Sequence, residues 1–472
     1  MCGVVGVQAP GQDAASLAAL GIFALQHRGQ ESAGVAVSDG TGVMVYKDLG
    51  LVDHVLDARR LQSLSGELAI AHCRYSTTGS TIWENSQPQF RLGPLRNVAV
   101  SHNGNLVNTR ALLAELPGGR ARLVGTTDTE LLTALLAAEE GGDLVEALLS
   151  LLPRVSGAYS LVVMDEQRVI GVRDPYGFRP LVLGRLETPS GEAWCLCSET
   201  SGLDALGAEY VRDVEAGEMV VLGEPGGPRS VRFAEGRQQL CVFELIYFAR
   251  PDSYMLGRNL YEVRRRMGEA LAREAPAEAD LVMPVPDTGA PAAAGYAEAS
   301  GLPYREGMVR NRYSGRTFIQ PSSGLRQRGV TVKLSALREQ VRGRRLVVVD
   351  DSIVRGTTTR QIVGLLRRAG AREIHLRISA PPIFHPCFYG IDTQIETELI
   401  AASRSLEEIR EFLDADSLAY LSITGVLQAI DLPRERFCFA CFDGNYPVPV
   451  PYDAGNRKFL LEQEPEPLAG VR

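Results

Sequence analysis

Arg345-Leu346-Val347-Val348-Val349-Asp350-Asp351-Ser352-Ile353-Val354-Arg355-Gly356-Thr357-Thr358-Thr359 passes from an apolar run into two adjacent acids, a short turn and a Gly-Thr-Thr. A short, β-branched apolar run reads as a strand covered on both faces. The following residues, Thr357 to Arg368, carry a helical pattern. Upstream, Leu281–Val285 reads as a strand and Ala292–Ala299 as a helix; downstream, Ile374–Ile378 reads as a further strand. Strands and helices in alternation predict a doubly wound α/β unit with a parallel sheet. Acids at the carboxyl end of such a strand stand where these folds bind ligands. The helix start after Gly356 offers unpaired amides and a positive dipole end to a phosphate, and the threonine hydroxyls add donors. The stretch lacks the G-x-x-x-x-G-K-[ST] spacing of a Walker A loop. A helix cap beside surface acids is the bland alternative, and the joint presence of strand, paired acids and loop counts against it.

The residues before this unit have a different texture. Val4–Val7, Ala33–Val37, Val43–Tyr46, Val98–His102 and Tyr159–Met164 are strand-like, and Asp39-Gly40-Thr41-Gly42 suits a hairpin turn. Ser16–Gln26 and Thr129–Ala138 are helical by period, with Asp128 placed to cap the second. Sheets covered by helices fit this order. Gly223-Glu224-Pro225-Gly226-Gly227-Pro228 marks a boundary between the two textures. The Pro- and Glu-rich tail from Glu462 is expected to be disordered.

The chain has 472 residues, enough for roughly two to four domains. Its hydrophobic fraction of 45% and charged fraction of 22% are those of a globular protein with filled cores. A net charge of −8 counts against broad nucleic-acid binding. No apolar run approaches the ~20 residues that span a bilayer, and the N-terminus lacks the pattern of a secretory signal. A cytoplasmic location is therefore expected. Thiols stay reduced there, so the eight cysteines are expected to be core, catalytic or metal-binding residues rather than disulfides.

Cys2 follows Met1 and precedes Gly3. Removal of Met1 would leave a cysteine with its own α-amine, a base of pKa about 8 that can take the thiol proton. One residue would then supply nucleophile and base. Taken alone, a cysteine at position 2 is as readily incidental. Four further segments bear on it: Gln26-His27-Arg28-Gly29-Gln30-Glu31-Ser32-Ala33-Gly34, Ala71-His72-Cys73-Arg74-Tyr75-Ser76-Thr77-Thr78-Gly79, Ser101-His102-Asn103-Gly104-Asn105 and Thr127-Asp128-Thr129-Glu130. Together with Cys2 they resemble the N-terminal-nucleophile (Ntn) glutaminase domain of class II glutamine amidotransferases. The resemblance implies an α+β domain, an αββα sandwich, over residues 2–225. It implies that Arg74 grips the glutamine carboxylate, that Asp128 binds its ammonium, and that Asn103 with the Gly104 amide forms an oxyanion hole over the carbonyl attacked by Cys2. Cys73, Cys195 and Cys197 read as core. His27 and His102 read more readily as structural than as catalytic.

The Asp350-to-Thr359 segment resembles the phosphoribosyl pyrophosphate (PRPP) motif of type I phosphoribosyltransferases. That resemblance implies an α/β domain over 230–455, followed by a flexible tail over 456–472. It implies ribose and magnesium contacts from Asp350 and Asp351, and a 5′-phosphate cradle from Arg355, Gly356, Thr357 and Thr358. Thr288, in Pro284-Val285-Pro286-Asp287-Thr288-Gly289, is a candidate third oxygen for magnesium, or simply a helix cap. Arg310, Arg312, Arg316, Arg326, Arg328 and Lys333 surround the Gly/Ser-rich stretch 319–329. The resemblance makes this the loop that closes over pyrophosphate, with Lys333 a PRPP contact. As a charge run alone it would be a solvated face.

Cys241, Cys387, Cys438 and Cys441 remain, the last two in a C-x₂-C pair. Four thiolates suit zinc or an iron–sulfur cluster, and spacing does not choose between them. Their contexts, Cys241-Val242-Phe243-Glu244 and His385-Pro386-Cys387-Phe388, resemble the iron–sulfur subgroup of the amidophosphoribosyltransferase family. That resemblance spans nearly the whole chain. It implies a [4Fe-4S] cluster of structural or oxygen-sensing role, magnesium, glutamine and PRPP as substrates, an internal ammonia path, purine nucleotides as feedback inhibitors and a homotetramer. It implies the first step of purine biosynthesis, with 5-phosphoribosylamine, glutamate and pyrophosphate as products. Cluster-bearing members commonly carry a short propeptide; here loss of Met1 alone would expose the cysteine. Two rivals are a different amidotransferase, feeding a sugar phosphate, and a PRPP-binding regulator without chemistry. The first would need a sugar-isomerase pattern in place of Asp350-Asp351, the second a missing nucleophile.

Overall fold

A computed structural model describes residues 1–140, 142–311, 333–451 and 457–462. Two compact units emerge. The first comprises Met1–Cys241, Cys387–Gln394 and Tyr446–Arg472; the second comprises Val242–Pro386 and Ile395–Asn445.

The first unit is built on β1 (Gly3–Gln8), β2 (Ser32–Ser38), β3 (Val43–Leu49), β4 (Leu68–Arg74), β5 (Gln89–Leu92), β6 (Asn97–Leu106), β7 (Gly157–Met164), β8 (Val169–Arg173), β9 (Val182–Thr188), β10 (Gly191–Cys197), β11 (Glu209–Asp213), β12 (Glu218–Leu222) and β13 (Arg229–Arg232). They form two antiparallel sheets, ordered β11-β9-β10-β1-β4-β2-β3 and β13-β12-β8-β7-β6-β5. Side chains alternate between faces of a strand, and the clusters follow that period. Val5 and Val7 of β1 pack with helix Ala14–Ala24, whereas Val4 faces the second sheet. Leu161 and Val163 of β7 pack under helix Asp128–Ala138, whereas Val162 and Met164 face the first sheet. The layers are thus helix, sheet, sheet, helix, the expected αββα sandwich.

Three expectations need correction here. Helix Ala14–Ala24 starts two residues early because the Asp13 carboxylate accepts from Ser16 N–H at 3.2 Å. The second helix is capped by Thr127, whose hydroxyl accepts from Glu130 N–H at 3.2 Å, so Asp128 lies in the first turn and is not the cap. The Gly223–Pro228 stretch is a hairpin connection, since β13 pairs back onto β12. The first unit therefore runs past the expected limit at residue 225.

The second unit carries a four-stranded parallel sheet, in the order Leu281–Pro284, Arg345–Asp350, Glu373–Ile378, Ser417–Tyr420. Leu346 and Val348 pack with Ile362 and Leu366 of helix Thr357–Arg368, and Val347 and Val349 are equally buried on the opposite face. Cover on both faces explains why this strand is an unbroken apolar run.

Arg312, Arg316, Arg326, Arg328 and the stretch 319–329 lie outside the described residues, as does the tail beyond Glu462. The described tail departs from the expected flexible 456–472: Arg457–Phe459 form a helical turn, and residues up to Glu462 bond to the first unit. Among the described residues no helix is long and apolar enough to cross a membrane.

Candidate functional site

Cys2 enters the first sheet at the head of β1, and Asn103 and Gly104 sit on β6 of the other sheet. The Cys2 backbone N–H donates to Asn103 Oδ1 at 3.0 Å. That bond fixes the amide orientation, because an N–H can only donate. The opposite end, Asn103 Nδ2, is then a buried donor without a protein partner. A buried donor left unpaired is costly, and this one belongs to the side chain that bonds the Cys2 backbone. Gly104 has φ +149, and a Cβ there would stand 2.0 Å from the Ala158 carbonyl oxygen, so only glycine fits. The Cys2 thiol points to the Tyr75 carbonyl, at 3.5 Å.

Arg74 ends β4 and is buried. Its guanidinium donates to the carbonyls of Thr78 at 2.9 Å, Gly79 at 3.4 Å and Ser80 at 3.3 Å. Burial pulls its pKa below the usual range, while Cys2, Glu31, Asp128 and Glu462 act in the opposite sense. Asp128 accepts from Leu106 N–H at 3.0 Å and Thr129 N–H at 2.9 Å. Cys2, Arg74, Gly104 and Asp128 line one cleft with Tyr75, Thr77, Thr78 and His102. Cation and anion therefore stand at one cleft with a thiol, which suits an α-amino acid with a reactive side chain.

Several supporting residues surround these groups, and Arg28, Glu199, Gln87 and Asn105 among them were not singled out from the sequence. Arg28 donates from Nε to the Cys2 carbonyl at 2.9 Å and pairs with buried Glu199. His27 bonds the same Glu199 at 2.7 Å, which agrees with a structural role. Gln87 accepts from His102 N–H at 2.8 Å and donates to Thr129 Oγ1 at 3.0 Å. Burial lowers the His102 pKa, and the ring bonds Thr129 Oγ1 at 3.1 Å. Asn105 accepts from the hydroxyls of Thr77 at 2.9 Å and Thr78 at 2.6 Å. Arg28, His27, His102 and Asn105 stood inside quoted motifs; Gln87 and Glu199 have no local pattern that marks them. Cys73, Cys195 and Cys197 are core, as expected; burial pushes the Cys73 and Cys195 thiols up to about 12.

In the second unit Asp350 and Asp351 end their strand almost fully buried. Burial, then the neighbouring charge, holds Asp350 well above the usual carboxylate range. Asp351 accepts from Ser352 Oγ at 2.6 Å and from Thr288 Oγ1, so the structure brings Thr288 to the acids. Gly356 caps helix Thr357–Arg368 at φ +72, where a Cβ would stand 2.8 Å from Ile400 Cδ1. Arg355 is held by Glu398, with Nε at 3.0 Å. The Lys333 carbonyl accepts from Asn311 N–H at 2.8 Å, where the described chain resumes.

Cys241, Cys387 and Cys438 are buried, Cys441 is half-buried, and none of the four is in a disulfide. The first two belong to the first unit and the last two to the second. Tyr389 N–H points to Cys387 Sγ at 3.4 Å. Among the described residues no three of His, Cys, Asp and Glu are gathered as a metal-binding group.

Residues 72–205 match the family described as glutamine amidotransferase domain, and residues 256–382 that described as phosphoribosyl transferase domain. The chain is 52% identical to the amidophosphoribosyltransferase of Synechococcus elongatus over 98% of its own length and 94% of the relative's. It is 50% identical to the Mycobacterium tuberculosis protein of the same name, covering 98% and 89%. Its structure is similar to the glutamine PRPP amidotransferase of B. subtilis complexed with ADP and GMP, with TM-score 0.88 and 44% identity, covering 96% of this chain and 98% of that one.

The unpaired Asn103 amide yields a direct expectation. Asn103→Ala should lower the rate constant of glutamine hydrolysis by roughly 10²–10³, the usual loss for one oxyanion donor. Glutamate release by the variant within threefold of the parent would remove Asn103 from that role.

Proposed function

The chain belongs to the amidophosphoribosyltransferase family, and on that premise we propose that Cys2 releases ammonia from glutamine and that the second unit adds it to PRPP. The single observation that carries the first half is the pairing of Cys2 N–H with Asn103 Oδ1, which leaves the other end of that amide a buried donor without a protein partner. Loss of Met1 turns the Cys2 nitrogen into an amine able to take the thiol proton. Sγ then attacks the glutamine amide carbon. Asn103 Nδ2 and the Gly104 N–H hold the oxyanion, Arg74 the carboxylate and Asp128 the ammonium. Collapse expels ammonia and leaves a thioester, which water hydrolyses to glutamate.

In the second unit ammonia displaces pyrophosphate from C1 of PRPP and gives 5-phosphoribosylamine, the first committed product of purine biosynthesis. Asp350 and Asp351 take the ribose hydroxyls. The loop Arg355-Gly356-Thr357-Thr358 takes the 5′-phosphate, and Lys333 reaches the pyrophosphate. For Arg355 this requires exchange of Glu398 for phosphate. Magnesium fits Thr288, Asp350 and Asp351, because oxygen donors are its preferred ligands and two buried adjacent acids favour a cation. When bound it would neutralise charge on the pyrophosphate. Purine nucleotides are proposed as feedback inhibitors, supported by the B. subtilis relative with bound ADP and GMP.

Cys2→Ala should abolish glutamine-dependent pyrophosphate release and spare the ammonia-dependent reaction; loss of both would contradict this division of labour. Asp350→Asn should impair PRPP use with either nitrogen source, and unchanged PRPP kinetics would remove the assignment. The same assay with ADP and GMP added reads the feedback, and full activity at saturating nucleotide would refute it.

The four remaining thiols, Cys241, Cys387, Cys438 and Cys441, are proposed as ligands of a [4Fe-4S] cluster. Support comes from the C-x₂-C pair and from the N–H directed at Cys387 Sγ, a contact that favours a thiolate. Anaerobically purified protein should contain about four iron and four sulfide per chain. Zinc in their place, or neither metal, would sink the cluster.

A further inference from the structure

The loop that follows Arg74 has two partners on opposite sides. Arg74 takes its carbonyls, as described above, at Thr78, Gly79 and Ser80. The C-terminal segment takes its amides. Gly79 N–H donates to the Lys458 carbonyl at 2.6 Å, and Ser80 N–H donates to Glu462 Oε1 at 2.7 Å. The Thr78 carbonyl and the Gly79 N–H belong to one peptide plane, as do the Gly79 carbonyl and the Ser80 N–H. Arg74 and the tail therefore hold opposite ends of the same two peptide units. Bonds chained through a peptide in this way polarise one another.

The tail is itself anchored. Lys458 Nζ stands 3.2 Å from both Asp392 oxygens, and Arg120 Nε donates to the Leu461 carbonyl at 2.9 Å. Glu462 also accepts from Ser80 Oγ and Thr126 Oγ1, each at 2.9 Å. Asn85 donates to the Ser80 carbonyl and to Thr126 Oγ1, both at 2.8 Å, which closes the ring of bonds. The three contacts of Glu462 favour its carboxylate form against the cost of burial, and Arg74 adds to them.

We propose that Lys458–Glu462 is a strap that positions Arg74 for the glutamine carboxylate, with Glu462 as its positioning residue. The proposal rests on the assignment of Arg74 to that carboxylate. Glu462 touches no substrate; it acts through the loop. It should govern the affinity for glutamine and leave the chemistry at Cys2 and the use of ammonia alone.

The test is the Michaelis constant for glutamine, read by glutamate release from the full chain. Glu462→Ala should raise it roughly three- to tenfold, the worth of a part-exposed charged hydrogen bond. The rate constant should stay within about twofold, since the group makes no transition-state contact. Glu462→Gln keeps one acceptor oxygen and should fall between. Ammonia-dependent pyrophosphate release should match the parent in both variants. An unchanged Michaelis constant in Glu462→Ala would overturn the strap, as would a parallel loss of the ammonia reaction, which would mean general damage. Glutamate release from the parent without pyrophosphate formation would instead overturn the PRPP assignment and leave this test standing.

Discussion

The glutaminase site depends on one hydrogen bond between two sheets. Cys2 N–H on the first sheet meets Asn103 Oδ1 on the second at 3.0 Å. Neither residue is near the other in sequence, and only the stacking of the two sheets brings them together. The bond does two things at once. It fixes the nucleophile at the head of β1, and it commits the Asn103 amide to one orientation. The leftover donor is therefore set by the fold before any substrate arrives, as the proposed oxyanion role would require. Arg28, itself buried and paired with Glu199, holds the Cys2 carbonyl from the other side.

The second unit solves a different problem. Its two acids are adjacent and almost fully buried, although adjacent buried carboxylates repel. A parallel strand covered on both faces ends at Asp350 and Asp351, and burial raises both. Such a pair is best relieved by hydroxyl donors and a cation. Thr288 and Ser352 already supply hydroxyls to Asp351.

Much of this was legible in the sequence because the decisive groups lie in short continuous motifs. The strand Arg345–Asp350 carries its burial on both faces as an unbroken apolar run, and β1 carries its two-sided cover as Val-Val-Gly-Val. Arg74 ends and Asp128 opens an element that periodicity could place, whereas Asn103 and Gly104 lie inside β6, which runs four residues past the strand end read at His102. What failed to show were long-range partners. Glu199 meets Arg28 from 171 residues away, and Gln87 reaches Thr129 across 42, with no local pattern to announce either. Caps were misjudged by one residue where two polar side chains compete, as at Thr127 and Asp128. The Gly/Pro stretch before β13 was read as a boundary because hairpin turns and domain boundaries share the same residues. The tail was read as disordered from composition, and only its contacts with Gly79 and Ser80 reveal the order up to Glu462.

The most direct measurement is glutamate release from glutamine with magnesium, in the presence and absence of PRPP, with pyrophosphate followed in parallel. The account predicts strong stimulation by PRPP, with glutamate and pyrophosphate formed in equal amounts. Glutamate release that is indifferent to PRPP and yields no pyrophosphate would contradict it.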